Sequence, residues 1–262
     1  MNRLIAITAT DPAKIQEAKY AASHFGFDFI EDAIRDKTSK IAAFYHYFLV
    51  FTPHYIALEN TQDQTGAPFY IDFLSKKMQH RIKKATLKNE LLARAIGLRP
   101  KDLPVIVDTT AGLGRDSMIL AALGFKITLL ERSPPLYLLL QDALNRAKKE
   151  KEMLPLVNRL HLIQVDATLW LKELTLDTYP DVIYIDPMFP ERKKSSSVKK
   201  EMLILRDLLG NDTDSADLFH LALSCAKKRV VVKRPRLTKN RIENTPHFAI
   251  TGKSSRFDIY LV

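Results

Sequence analysis

The sequence predicts a mostly parallel, doubly wound α/β sheet with a C-terminal antiparallel hairpin, preceded by a small α+β appendage. Three observations carry that reading. Short apolar runs alternate with helix-like stretches from Val105 onward. Those runs are apolar throughout rather than at every second position, as strands covered on both faces require. The chain has only 8 glycines in 262 residues, yet Gly112, Gly114 and Gly124 fall within 13 residues of one another, directly after the first run. Such clustering marks a backbone that turns tightly or approaches a ligand.

The elements follow in order. Residues 1–75 form the appendage, with aromatic-rich strand candidates at Phe44 to Phe51 and His54 to Leu58 and a polar turn at Glu59 to Gly66. Residues 76–262 form the sheet domain, entered by a basic helix from Lys76 to Arg99. Val105 to Asp108 is the first strand, followed by a Gly turn and a helix from Arg115 to Leu123. Lys126 to Glu131 is the second strand, and Pro134-Pro135 opens a long helix to Glu152, since proline suits a first helical turn. Arg159 to Val165 is the third strand and Leu169 to Leu174 a short helix. Asp181 to Asp186 is the fourth strand, stopped by Pro187. A helix from Asp214 to Ala226 leads to a fifth strand, Arg229 to Lys233, stopped by Pro235. Phe248 to Thr251 and Arg256 to Val262 make the terminal hairpin. Trp170, Phe219 and Cys225 read as core residues.

Composition excludes several classes. Apolar residues at 46% and charged residues at 27% are ordinary for a folded domain and exclude disorder as a description of the whole. One cysteine, Cys225, allows neither an internal disulfide nor a Cys-rich zinc module, and the histidines show no ligand spacing, so no metal is expected. The longest apolar run, Ile41 to Phe51, is too short to span a bilayer, and the N-terminus meets Asp11-Pro12 too early for a signal peptide. A reduced, cytoplasmic protein without a membrane partner is expected.

The net charge of +10 is unevenly spread. Lys76 to Lys101 carries +8, Arg192 to Glu201 +4 and Lys227 to Arg241 +8, which leaves −10 for the remainder. Basic segments on a mildly acidic body suit a polyanionic partner.

The first chemical motif is Val107-Asp-Thr-Thr-Ala-Gly112-Leu-Gly114-Arg-Asp116, between a strand and a helix. Glycines there admit a ligand to the main chain, and the free N–H groups of the next helix attract an anion. Ser117 stands where a dinucleotide fingerprint wants Gly or Ala. With Asp108 on the first strand, the loop instead resembles the first motif of S-adenosylmethionine methyltransferases. Glu131 ends the second strand 17 residues after Gly114, the position from which a carboxylate grips ribose hydroxyls. Asp166 ends the third strand, where an acceptor meets an adenine amino group.

The second motif is Asp186-Pro187-Met188-Phe189-Pro190, after the fourth strand. In an open α/β sheet the first and fourth strands meet at the ligand crevice. The motif resembles the Asp/Asn-Pro-Pro-Tyr/Phe box of amino-group methyltransferases, with Met188 in place of the second proline. An exocyclic amine on a base ring is a weak nucleophile because its lone pair is delocalised. Asp186 and a carbonyl beside Pro187 would hold its N–H groups, and Phe189 would stack the base, which fixes the geometry of attack. A Ser/Lys-rich loop follows, with Lys193, Lys194, Lys199 and Lys200, and Lys233-Arg234 and Arg256 fall at the same sheet edge. These seven cations are the expected RNA phosphate contacts. At its strand end Lys233 also has Asp258 as a candidate structural partner.

Together Asp108-Thr-Thr-Ala-Gly-Leu-Gly-Arg-Asp116, Leu130-Glu-Arg-Ser-Pro134, Tyr184-Ile-Asp-Pro-Met-Phe-Pro190, Val198-Lys-Lys-Glu-Met202, Arg229 to Pro235 and Arg256-Phe-Asp-Ile-Tyr260 resemble the bacterial 16S ribosomal RNA guanine-N2 methyltransferases, from about Phe73 to the C-terminus. The resemblance implies a Rossmann-like class I methyltransferase fold, S-adenosylmethionine as cofactor, and 16S ribosomal RNA or the small ribosomal subunit as partner. It also implies cofactor contacts from Arg115, Asp116, Glu131, Arg132, Asp166, Ala167 and Asp186, alongside Asp108, Gly112 and Gly114. Thr168 completes this set, Ala167-Thr168 standing where relatives carry a small hydroxyl-bearing pair. An N-methyltransferase of DNA adenine or protein glutamine, and a silent nucleotide-binding module that holds RNA, remain as alternatives.

Overall fold

Ile5-Ala-Ile-Thr-Ala9 forms a buried strand, β1, in a segment where the sequence suggested strands only further on. The structure is a computed structural model that describes residues 5–31, 44–62, 67–187, 215–237 and 245–262. It divides into two compact units, Met1–Asp72 with Pro134–Arg146, and Phe73–Ser133 with Ala147–Val262.

In the first unit β1 is followed by α1 (Ile15–Phe25), β2 (Asp28–Phe29), β3 (Tyr47–Phe51) and β4 (Ile56–Asn60). The sheet order is β2-β1-β3-β4, with β1 parallel to β2 and β3, and β4 antiparallel to β3. Helix α1 lays Ala18, Ala21 and Ala22 inward; small side chains let it approach β1 closely. It ends at Gly26, whose φ of 70° is a left-handed C-cap.

The second unit begins with α2 (Lys76–Lys84) and α3 (Leu91–Ile96) rather than one basic helix. Ala85 leaves helical geometry (ψ 133°), and Thr86 and Asn89 close a reciprocal turn. The Asn89 amide donates to the Lys84 carbonyl at 2.8 Å and satisfies that end of α2. Then come β5 (Ile106–Asp108), α4 (Arg115–Ala122), β6 (Ile127–Glu131), α5 (Pro134–Lys148), α6 (Leu154–Val157), β7 (Leu160–Gln164) and α7 (Ala167–Lys172). β8 (Val182–Ile185), α8 (Ser215–Cys225), β9 (Arg229–Pro235), β10 (Phe248–Thr251) and β11 (Ser255–Leu261) complete it. Through Arg146, α5 belongs to the first unit. There the Arg146 guanidinium pairs with Asp142 at 2.8 Å, donates to the Ile71 carbonyl and lies over the Tyr70 ring.

The large sheet runs β10-β11-β9-β8-β5-β6-β7; β9, β8, β5, β6 and β7 are parallel, and β11 runs antiparallel to both of its neighbours, β9 and β10. The expected Rossmann-like architecture with its terminal hairpin is therefore present. β9 continues through Pro235 instead of stopping before it. Residues 233–235 extend past the end of β8 and pair only with β11, so the missing proline N–H costs no ladder bond on the β8 side.

Strand alternation divides the sheet into two faces. Val107, Ile183, Ile185, Val230 and Val232 point to one, where they pack with Leu171, Phe219, Cys225 and Tyr260. The Phe219 ring meets Tyr260 edge-on with centroids 4.6 Å apart, and Trp170 packs at the margin of the same core. Each fully buried side chain of that size is worth about 1.5–3 kcal/mol. Asp108, Tyr184 and Lys233 point to the other face, toward α4.

Candidate active site

β5 and β8 are neighbours although β6 and β7 lie between them in sequence, so the sheet reverses its order there and leaves a crevice beyond their carboxyl ends. The loop after β5 is held in shape from three sides. Thr109 donates its N–H and hydroxyl to the Tyr184 carbonyl, at 3.0 and 2.9 Å. The Ala111 N–H reaches the Leu130 carbonyl at 3.1 Å. Glu131 accepts the Gly112 N–H on one carboxylate oxygen and the Ser133 N–H on the other, each at 2.8 Å. Gly112 and Gly114 have φ of 52° and 65°, in the left-handed region that side chains avoid, and Gly114 caps α4.

Asp108 lies beneath this loop, 2% exposed, and accepts from the Ser117 hydroxyl at 2.5 Å and the Thr110 N–H at 3.1 Å. Burial dominates its electrostatics and pushes the carboxyl up to about 7, with the Ser117 and Thr110 bonds opposing. Across the loop the Asp186 N–H donates to the Thr110 hydroxyl at 2.7 Å, which ties the end of β8 to the glycine turn.

The floor of the crevice is a charge network. The Lys233 ammonium sits 2.7 Å from Asp116 Oδ2 and 2.8 Å from Asp186 Oδ2. Tyr184 donates its hydroxyl to Asp116 at 2.9 Å, and Arg81 lies 3.4 Å from Asp116 and 3.4 Å from Glu90. Burial disfavours the charge on Asp116, yet Lys233, Arg81 and the Tyr184 hydroxyl hold its carboxyl below the usual range. Asp186 goes the other way. Burial raises it and the Asp116 charge adds to that, while Lys233 offsets only part. Burial, with three carboxylates nearby, lifts Tyr184 well above its ordinary value, so it remains a hydroxyl donor. Burial also works against the Lys233 charge, but the two carboxylates prevail and keep it protonated.

At the ends of β6 and β7, Asp166 caps α7. Its Oδ1 accepts the N–H groups of Thr168 and Leu169 and the Thr168 hydroxyl, while Oδ2 is 3.7 Å from Arg132. Burial opposes the charge on Asp166, but these donors outweigh it and hold the carboxyl low. This cap starts α7 at Ala167, two residues before the helix read from sequence.

All eleven residues expected to hold the cofactor line one cavity of about 530 Å³: Asp108, Gly112, Gly114, Arg115, Asp116, Glu131, Arg132, Asp166, Ala167, Thr168 and Asp186. Three further residues there have no role of their own legible in the sequence, although Thr110 and Tyr184 stand within its motifs. Arg81 was one cation among many, Thr110 an ordinary loop residue, and Tyr184 a strand aromatic. Phe189, Lys193, Lys194, Lys199 and Lys200 lie outside the described residues.

Two of the expected RNA contacts are placed elsewhere than on a rim. Lys233 turns into the cavity floor, paired with Asp116 and Asp186; Asp258 is on the opposite face of the sheet. Arg234, its neighbour in the strand, turns the other way. Its side chain is 0% exposed and pairs with Asp258, also 0% exposed, at 2.8 Å, so it cannot meet a phosphate. Arg256 pairs with Asp258 at 2.7 Å and keeps some exposure.

The site suits S-adenosylmethionine by the chemistry of its donors. A strand-end carboxylate, a left-handed glycine turn and a floor of fixed charges surround a volume in the range of small-molecule sites, about 300–1,000 Å³. The fold and this site define an S-adenosylmethionine-dependent methyltransferase. A family profile described as “Putative SAM-dependent methyltransferase” matches residues 37–262. Ribosomal RNA small subunit methyltransferase J of Coxiella burnetii is 43% identical over 262 residues, 100% of this chain and 98% of the relative. The protein of that name from Nitrosococcus oceani is 45% identical over 204 residues, 78% of this chain and 80% of the relative. The crystal structure of a SAM-dependent methyltransferase from Neisseria gonorrhoeae is 30% identical and superposes with a TM-score of 0.73, covering 98% of this chain and 95% of that one. The chain belongs to the ribosomal RNA small subunit methyltransferase J family.

Proposed function

We propose that this enzyme methylates the exocyclic N2 amine of one guanosine in 16S ribosomal RNA, in the cytoplasm. The observation that carries this reading is the convergence of Asp186 and the Gly112–Gly114 loop on one cavity. The relatives' name supplies the ribosomal RNA, and the Asp-Pro-Met-Phe sequence supplies the amine.

Bound S-adenosylmethionine supplies an electrophilic methyl group on a sulfonium. Glu131 would accept the ribose hydroxyls with the lone pairs that Gly112 and Ser133 leave available, and Asp166 would meet the adenine. Asp108 acts from below by fixing the loop. Lys233 holds Asp186 Oδ2, which leaves Oδ1 to accept an N–H of the guanine amine and to align its lone pair with the methyl carbon. As the N–C bond forms, the bond from that carbon to the sulfonium sulfur would break, its electron pair going to sulfur to leave the neutral thioether S-adenosylhomocysteine; the methylated amine is acidic, and its proton passes to Oδ1. A carboxyl raised by burial is better matched to that task than an ordinary aspartate. Phe189 stacks the guanine, while Lys193, Lys194, Lys199, Lys200 and Arg256 meet phosphates.

Mass-spectrometric ribonucleoside analysis of 16S RNA from cells lacking the gene tests the reading. Loss of one N2-methylguanosine is expected. An unchanged RNA profile with a lost methyl on DNA adenine or protein glutamine would replace it.

A further inference from the structure

The basic face of α2 lies outside everything the cofactor and amine sites use. Helix α2 holds Lys76, Lys77, Arg81, Lys83 and Lys84 with no acid among its nine residues. At 100° per residue, Lys76, Lys77, His80, Lys83 and Lys84 fall within a sector of about 120°. All five are exposed, while Met78 on the opposite side is buried. Among the described residues, none of the four lysines pairs with an acid.

At its N-terminal end this arrangement works against the helix itself. Lys76 and Lys77 stand in the first turn, where the macrodipole disfavours cations. Lys77–Arg81 repeats a positive charge at i,i+4, which is also unfavourable. The two first-turn lysines therefore serve something other than helix stability, whereas Lys83 and Lys84 stand in the last turn, where the dipole favours them. Arg81 shows where the face leads, because it leaves the flank of α2 to line the cavity and touch Asp116. A polyanion lying along α2 is thereby brought to the cavity mouth.

We infer that the exposed face of α2 is a docking surface for the RNA backbone, which delivers the target nucleotide to the cavity. The inference rests on the RNA-methylation reading above. Nine helical residues span about 13 Å, enough for two or three successive phosphates. RNA fits better than an anionic membrane, because an interfacial helix needs an exposed apolar face and here Met78 is turned inward.

The test compares wild type with K76Q/K77Q/K83Q/K84Q, which preserves helix propensity and leaves Arg81 in place. Fluorescence anisotropy with unmodified 16S RNA transcribed in vitro, over a salt series, reads affinity and slope. The variant should bind about tenfold more weakly and lose about two units of the log–log salt slope, since fewer counterions are released. Its melting temperature and S-adenosylmethionine affinity by calorimetry should match wild type. A folded variant with wild-type affinity and slope would overturn the docking surface while leaving the methylation reading intact. Loss of binding to phosphatidylglycerol vesicles with RNA affinity unchanged would assign the face to a membrane instead. A wild type that shows no salt-dependent RNA affinity would overturn the RNA reading, and the docking surface with it.

Discussion

The Lys233 ammonium lies 2.8 Å from Asp186 Oδ2 and holds by its side chain the carboxylate whose backbone is tied to Thr110. Removing that ammonium, as in Lys233→Met, should lower kcat by about 10- to 100-fold through lost positioning of Asp186. It should also raise the Asp186 carboxyl further, because Lys233 is what lowers it, with Asp116, Asp108 and Tyr184 facing the same group. The acidic limb of the kcat–pH profile then moves to higher pH. Lys233→Arg keeps a cation in reach and should recover part of the rate. Wild-type kcat and pH profile in Lys233→Met would remove Lys233 from the positioning of Asp186.

Arg234 should behave as a structural residue. Its pair with Asp258 is buried on both sides, so Arg234→Ser leaves Asp258 with Arg256 as its remaining cation and should cost about 2 kcal/mol of stability. Denaturant unfolding reads this directly. A variant of wild-type stability with weaker RNA binding would return Arg234 to the surface role that the sequence suggested.

The contrast between Lys233 and Arg234 shows where sequence reading stops. The parallel strands were legible because each is a continuous apolar run. The glycine turn, Glu131 and Asp186 were legible because their spacing along strand ends is local. Which way Lys233 and Arg234 point depends on the register of β9 against β8 and β11, and Asp116 and Asp258 become partners only through tertiary pairing. Arg81 is a stronger case, since nothing in Lys76 to Lys101 distinguishes the one arginine that turns inward. The first unit was least legible, because it recruits Pro134–Arg146 from the middle of the chain.

Asp108 predicts a pH dependence of stability with a definite sign. Its carboxyl is raised to about 7 in the folded protein, so between its ordinary value and pH 7 the folded state binds a proton that the unfolded chain has released. That contribution is complete at low pH and is lost as pH rises through 7, with a limiting slope of roughly 1.4 kcal/mol per pH unit. Asp186 is raised as well and adds to the same trend, whereas Asp116 and Asp166 are lowered and matter only in acid. Asp108→Asn should therefore flatten the fall in stability between pH 5 and 8 without abolishing it. An identical slope in the variant would contradict the assignment.

Glu131 holds the glycine loop from one side and faces the cavity on the other. Glu131→Ala should weaken S-adenosylmethionine binding by about tenfold or more, since a charge-assisted acceptor is lost and the Gly112 N–H loses its partner. Calorimetric titration measures this. Undiminished affinity in a folded variant would place the ribose elsewhere.

In the proposed reaction Asp186 and the glycine loop together present an RNA amine to the cofactor's methyl group. Transfer of labelled methyl from S-adenosylmethionine to unmodified 16S RNA or small subunits, followed by digestion to nucleosides, tests it most directly. Wild type should place label in N2-methylguanosine alone, and Asp186→Ala should lower the rate by about 100-fold or more while the protein stays folded. Label in another nucleoside would rule out the guanine amine, and an Asp186→Ala rate near that of wild type would remove Asp186 from the reaction.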